Sequence, residues 1–235
     1  MDPNGRKALV FGGTSGIGLA AVHQLTRRGC DVVAISRSPE KAREAVGDGV
    51  TLEACDVRDR AALEELFARH APFDILVCAA TGGSRASGPF LEMDLDGYQS
   101  SFDKLWGYTN CVRLGTQHLT DDGTIVLVSG APARRAKPGQ IALASVGAAV
   151  EQFCRVLAPE IAPKRINVVS PGLVDTPMFG PDSEKRAEML SGATAKHLVP
   201  RPGTPDELAD GILFLIENEF ATGTTIDLDG GWLLS

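Results

Sequence analysis

The chain has 235 residues, 43% of them hydrophobic and 23% charged, a balance that suits one large α/β domain with a substantial core. Its 23 basic and 30 acidic residues give a net charge of −7, and the basic ones are scattered. That pattern speaks against nucleic acid or an anionic membrane surface as a partner and for a small-molecule substrate.

No uninterrupted run approaches about 18 apolar residues, and the start lacks an apolar stretch with a small-residue cleavage site. The expectation is a soluble cytoplasmic protein that binds no membrane. Five cysteines (Cys30, Cys55, Cys78, Cys111, Cys154) fall singly inside apolar patterns, without a C-x-x-C pair. They read as reduced thiols acting as small buried hydrophobes, with no metal site.

In chain order, Ala8 to Phe11 is a short apolar run without alternation, as expected of a strand buried on both faces of a parallel sheet. A helix from Gly16 to Arg28 follows, then a strand from Asp31 to Ser36. Ser38-Pro39-Glu40 predicts a helix start, with a capping serine and proline at the first position. The alternation continues with a strand at Val50 to Ala54, a helix capped by Asp59 and running to about His70, and a strand at Asp74 to Ala79. A long helix is predicted from about Asp96 to Leu119, with a turn at Gly123. A strand from Thr124 to Ser129, a helix from about Gly139 to Ile161 and a strand from Arg165 to Ser170 come next. The stretch from Val174 to Gly203 reads as one long irregular loop, of the kind that forms lids. Helix Pro205 to Glu217 and strand Thr224 to Leu228 close the chain. Seven strands with crossover helices imply a Rossmann-type doubly wound parallel sheet in a single domain, residues 1–235, with a substrate lid at about 174–203.

Gly12, Gly16 and Gly18 have the spacing G-x-x-x-G-x-G between the first strand and the first helix. The glycines allow a tight turn and a close approach of backbone to a pyrophosphate, and the helix start offers free N–H groups and partial positive charge. Thr14 and Ser15 add hydroxyl donors, and Ile17 lies in the same turn. The second strand ends in Ser36-Arg37, where an NAD-binding chain has an acidic residue for the ribose hydroxyls. A cation there pairs with a 2′-phosphate, so NADP(H) is the expected cofactor.

With these motifs in place, the chain resembles the short-chain dehydrogenase/reductase family over nearly its full length. Cys55-Asp56-Val57 is similar to the family's aspartate for the adenine amino group and the residue flanking the ring. Asn167 to Gly172, followed by Val174-Asp175-Thr176-Pro177, is similar to the family's strand and turn around the nicotinamide. The resemblance implies that Pro171, Gly172, Val174 and Thr176 contact that end. Ala79 and Ala80, in the run Cys78-Ala79-Ala80-Thr81 that replaces the family's Asn-Asn-Ala-Gly turn, are expected against the cofactor as well.

Members of the family usually carry Asn, Ser, Tyr and Lys as a proton relay, and this chain departs at all four positions. Lys104 stands for the asparagine, Gly130 for the serine with Ser129 beside it, Leu143 for the tyrosine and Gly147 for the lysine. Both tyrosines, Tyr98 and Tyr108, lie upstream of that helix. Lys104 and Ser129 are the candidate catalytic groups: the first as a cation polarising a carbonyl or anionic group, the second as a hydrogen-bond donor at the end of its strand. Arg134 and Arg135 are weaker candidates for a substrate anion and read better as surface charges. Tyr108 reads as core, and His197 is a minor candidate for an acid.

The leading expectation is an NADPH-dependent oxidoreductase that reduces a small pre-activated carbonyl, enone or imine without the usual Tyr-Lys acid. A non-redox catalyst (cyclase, dehydratase or isomerase) that keeps NADP as a scaffold is the second, and a catalytically silent nucleotide-responsive binding protein the third. The resemblance also implies a homotetramer or dimer.

Overall fold

Short apolar runs and amphipathic segments alternate along the chain, and each run takes its place as one strand of a single parallel sheet. The computed structural model describes residues 1–81 and 85–235. Its strands are β1 (Lys7–Phe11), β2 (Asp31–Ser36), β3 (Thr51–Ala54), β4 (Phe73–Cys78), β5 (Leu119–Val128), β6 (Arg165–Pro171) and β7 (Thr225–Leu228). The sheet order is β3-β2-β1-β4-β5-β6-β7, and every neighbouring pair is parallel. The order reverses between β1 and β4, where Phe11 lies in register with Cys78. Ligands of such sheets bind beyond the carboxyl ends of the strands at this reversal.

Helices α1 (Gly16–Arg27) and α8 (Pro205–Glu217) cover one face of the sheet, packing Leu25, Ile212 and Leu215 against Val10 and Val77. Helices α3 (Arg60–His70), α5 (Asp103–Gly115) and α6 (Ile141–Ile161) cover the other, with Phe67, Tyr108, Cys111 and Val150 against Phe11 and Leu127. Full burial of each large apolar side chain is worth roughly 1.5–3 kcal/mol, so two such layers are what hold the strand ends rigid enough to carry a site. All five cysteines are buried in these layers or at their margins.

Four predicted elements come out differently. The turn expected at Gly123 lies inside β5, which starts at Leu119 and shifts register against β4 between Phe73 and Ile75. The long helix of residues 96–119 is two helices, α4 (Leu95–Ser101) and α5, broken at Phe102. The hydroxyls of Ser100 and Ser101 both donate to the Gly97 carbonyl, and the Phe102 amide bonds three residues back to Gln99. Such side-chain competition with the helical ladder bends or ends a helix. Ser38 makes no side-chain cap; a 3-10 turn at Pro39–Ala42 leads into the one-turn helix α2 (Arg43–Val46). The stretch from 174 to 203 is not one loop: Ser183 caps α7 (Glu184–Thr194) by accepting from the Arg186 amide at 3.2 Å. Only Leu190 and Thr194 of that helix are buried, which left no apolar stripe in the sequence to reveal it.

Among the described residues, α6 is one helix with the length and apolar character of a membrane span. Here it packs along β6 and against α5, and its Glu151 is buried in hydrogen-bonded contact with the end of β5.

Candidate active site

The β1–α1 turn is built by close backbone approach. A Cβ on Gly12, at φ +81°, stands 2.7 Å from the Ala80 amide nitrogen, and one on Gly18 stands 2.1 Å from the Gly12 carbonyl oxygen. Neither distance admits a side chain, so glycine lets α1 start against the strand end. Ser15, the N-cap residue of α1, makes no side-chain cap, and the first turn carries no acidic residue. The helix mouth therefore keeps its amides and its partial positive charge for an anion. This cradle fits a dinucleotide pyrophosphate.

Beyond β2 the Arg37 side chain is exposed and Ser36 half-buried. Asp56 follows β3, and its carboxylate accepts from the Arg58 amide at 2.9 Å. Desolvation opposes ionisation of Asp56, but the Arg58 amide and guanidinium outweigh it and hold the carboxyl below its ordinary range. Val57 is buried beside it, pressed by α5 at Gly107, where a Cβ stands 2.4 Å from the Val57 side chain. Asn110 of the same helix donates to the Val57 carbonyl at 3.1 Å. Sequence reasoning missed Arg58, Gly107 and Asn110; a glycine inside a predicted helix was the available sign of a close approach.

On the opposite side Pro171 ends β6 and the Gly172 amide donates to the Leu228 carbonyl at 3.0 Å. Val174 is buried and bridges to Gly203. Thr176, also buried, brings its methyl group to within 3.3 Å of a Cβ position on Gly16. The turn expected at the nicotinamide end thus folds onto the turn expected at the phosphates.

Lys104 on α5 is only 8% exposed. Its ammonium donates to the Ser129 carbonyl at 3.0 Å and lies 5.6 Å from the centre of the Tyr108 ring. Desolvation, with the charge of Arg85 adding to it, lowers its pKa from 10.5 to about 7. Ser129 is buried at the end of β5, and its hydroxyl donates to Glu151 Oε1 at 2.9 Å. The expected donor to a substrate therefore has its proton turned away to a carboxylate. What Ser129 offers at this position is acceptor capacity.

Four further candidates have structural work. Arg134 bridges Glu151 at 3.3 Å and Asp227, and Arg135 donates to the Trp232 carbonyl at 2.6 Å. Tyr108 is buried and donates to the Val128 carbonyl at 3.2 Å, and desolvation raises its pKa well above 10. His197 packs beside Trp232, with its pKa lowered by desolvation first and then by Lys137. Arg85, which sequence reasoning passed over, closes the group. It is exposed in the segment after β4, and its Nη1 donates to Met178 Sδ at 2.9 Å.

A parallel sheet whose strand-order reversal meets a glycine-cradled helix mouth, with a second turn folded over it, defines a dinucleotide-binding α/β protein. Residues 12–233 match the family model described as Enoyl-(Acyl carrier protein) reductase. The chain is 30% identical to a short-chain dehydrogenase/reductase of Stachybotrys chlorohalonatus over 98% of both chains. Among solved structures it is similar to a small-chain dehydrogenase in complex with NADPH, at 30% identity and TM-score 0.87 over 99% of this chain and 100% of that one. It is also similar to an apo short-chain oxidoreductase of Pseudomonas aeruginosa PAO1 described as containing an atypical catalytic center, at 29% identity and TM-score 0.86 over 97% of each. The chain belongs to the short-chain dehydrogenase/reductase family, a family of oxidoreductases.

Proposed function

We propose that the protein is an NADPH-dependent oxidoreductase acting on a small carbonyl, enone or imine substrate, with Lys104 in place of the usual tyrosine as proton donor. The observation that carries this reading is a buried lysine with a pKa of about 7 beside the end of β5, in a chain with no tyrosine after Tyr108. An acid is most useful when its pKa lies near the working pH.

In this reading Gly12, Thr14, Ser15, Gly16, Ile17 and Gly18 hold the pyrophosphate. Ser36 and Arg37 take the 2′-phosphate, Asp56 and Val57 the adenine, and Ala79 and Ala80 the adjoining ribose. Pro171, Gly172, Val174 and Thr176 fix the nicotinamide, and residues 174–203 serve as the lid. Bound NADPH supplies the hydride. Ser129 and Glu151 hold the end of β5, so that the Ser129 carbonyl keeps Lys104 in place; one ammonium N–H is spent on that carbonyl and two are left for a substrate oxygen or nitrogen. The relatives' names are those of dehydrogenases and reductases, which favours this reading over the non-redox alternative.

Stopped-flow absorbance of NADPH against a panel of imines, enones and ketones tests the proposal. Oxidation of NADPH by at least one substrate is expected, slowed on the order of 10²-fold or more in Lys104→Met. No oxidation by any of them, or equal rates in both proteins, overturns it. A homo-oligomer, dimer or tetramer, belongs to the same reading, since Leu95, Trp106 and Val156 leave apolar area exposed on α4, α5 and α6. Light scattering reads the state directly.

A further inference from the structure

Lys104 and Arg85 have no carboxylate partner among the described residues. Lys104 has three N–H donors, and the described residues give it one acceptor, the Ser129 carbonyl. Arg85 has five donors, and its described partner is the weak thioether acceptor of Met178. Among the described residues neither is ion-paired with a carboxylate, and the charge of Arg85 repels that of Lys104.

Other arginines of the described residues have acceptors or acids of their own. Arg165 is buried too, yet it donates to four carbonyls, those of Leu215, Ile216, Asn218 and Ala221. Arg134 and Arg186 are ion-paired with Asp227 and Asp175. A chain of net charge −7 has ample acid to neutralise two more cations, but places none here. Arg85 is exposed, and the amide of its neighbour Ala86 donates to the Ser101 hydroxyl at 2.9 Å, which docks its segment on the end of α4, whose last residue is three before Lys104. Met178, the group it touches, follows the Val174–Thr176 turn assigned to the nicotinamide. An anion seated on these two cations would lie beside the end of the cofactor that the proposed function assigns to the nicotinamide.

We infer that the substrate carries a carboxylate next to its reducible group, the carboxylate held by the Arg85 guanidinium and the adjoining carbonyl or imine by the Lys104 ammonium. Guanidinium and carboxylate match as a bidentate pair, which fixes the orientation of a small substrate as well as its affinity. The inference deepens the proposed function by naming a substrate class, a 2-oxo or 2-imino acid, and it rests on that assignment of the cleft.

Isothermal titration of the NADP⁺-saturated protein with pyruvate and with its neutral amide, pyruvamide, tests it without any turnover. Pyruvate is expected to bind at least tenfold more tightly than pyruvamide. Arg85→Gln removes that advantage while leaving NADP⁺ affinity unchanged, and Arg155→Gln, a charge removed from the exposed side of α6, leaves it intact. Equal binding of the two probes, full pyruvate affinity in Arg85→Gln, or exclusion of pyruvate by NADP⁺ overturns the inference. Selective pyruvate binding in a protein that oxidises NADPH with no substrate upholds the anion seat and defeats the redox reading alone.

Discussion

Ser129 at the end of β5 donates its hydroxyl to Glu151 in the middle of α6 at 2.9 Å, and both side chains are buried. Glu151 is four residues beyond Gly147 and eight beyond Leu143, so the three share one helical face. By resemblance that face carries the family's Tyr and Lys. Two of the three positions pack: a Cβ on Gly147 stands 3.0 Å from Ala133 Cβ and 3.3 Å from the Gly130 carbonyl oxygen, and Glu151 ties the helix to the strand.

Truncating Glu151 to alanine strands the Ser129 hydroxyl and leaves Arg134 with Asp227 alone. The expected loss is about 2–3 kcal/mol of unfolding free energy, the scale of a buried hydrogen bond to a charged group plus an orphaned donor. Ser129→Ala is expected to cost about 1 kcal/mol, since the carboxylate keeps Arg134. Urea titrations of the two variants check the order; a neutral Glu151→Ala means the network does not hold α6.

The glycine cradle is expected to tolerate nothing larger. A methyl group on Gly18 meets the Gly12 carbonyl oxygen at 2.1 Å, backbone against backbone, so either α1 retreats from β1 or the turn opens. Gly18→Ala should cost about 1–3 kcal/mol, as overpacking does, and weaken NADP⁺ binding more than tenfold. Thermal unfolding with and without NADP⁺ reads both effects, and retained affinity would contradict the assignment of this turn to the phosphates.

That turn, the sheet and the crossover helices were legible because their signals are local: apolar runs, glycine spacing, and caps such as Asp59, which accepts from the Ala62 amide as read. The break at Phe102 was not, because Tyr98, Phe102 and Trp106 recur every fourth residue and mimic one continuous helix. Arg85 was passed over because its polar, glycine-rich neighbourhood reads as ordinary surface; its meaning arises only when the fold docks its segment on the end of α4, next to the helix that carries Lys104. Glu151 was the more avoidable omission. An acid inside the apolar helix of residues 141–161 has to find partners if it is buried, and Ser129 and Arg134 are those partners.

Arg37 decides between the two nicotinamide dinucleotides in this reading. It is exposed at the end of β2, and the charge of Arg37 helps hold Asp56 ionised, after the larger effects of desolvation and Arg58. Arg37→Gln is expected to weaken NADP⁺ by about 10–100-fold, the equivalent of one charge-assisted contact, with little change for NAD⁺. Fluorescence titration with both cofactors measures the ratio, and an unchanged ratio would remove Arg37 from the site.

Lys104 is a liability for stability. At a folded pKa of about 7 against 10.5 for the free side chain, the unfolded chain holds a proton that the native one has released across that interval. Stability therefore rises with pH between those values, and below about 7 the penalty is present in full. Lys104→Met removes the penalty and is expected to raise the unfolding free energy at pH 6 by about 1–3 kcal/mol. The gap between variant and wild type should narrow as pH climbs from 7 to 9. Thermal melts in a pH series decide this, and a gap that widens over that range would reverse the assignment.

Under the proposed function the same titration would govern catalysis in the reductive direction. Reduction needs the ammonium form, so its rate is expected to fall as pH passes upward through about 7. Tyr108 and Cys111, on the same face of α5, are held neutral well past that range by desolvation, and Glu151 lies beyond Ser129 and is not among the charges that act on Lys104. Arg85 is the one charge that does, and its repulsion depresses the lysine. Arg85→Gln should therefore move the fall in rate to higher pH even as it weakens an anionic substrate. Single-turnover rates measured with saturating cofactor across pH 5.5–9 separate the two effects, because the first shifts the midpoint and the second lowers affinity at every pH. A midpoint that stays fixed when Arg85 is replaced would show that the titrating acid is a different group.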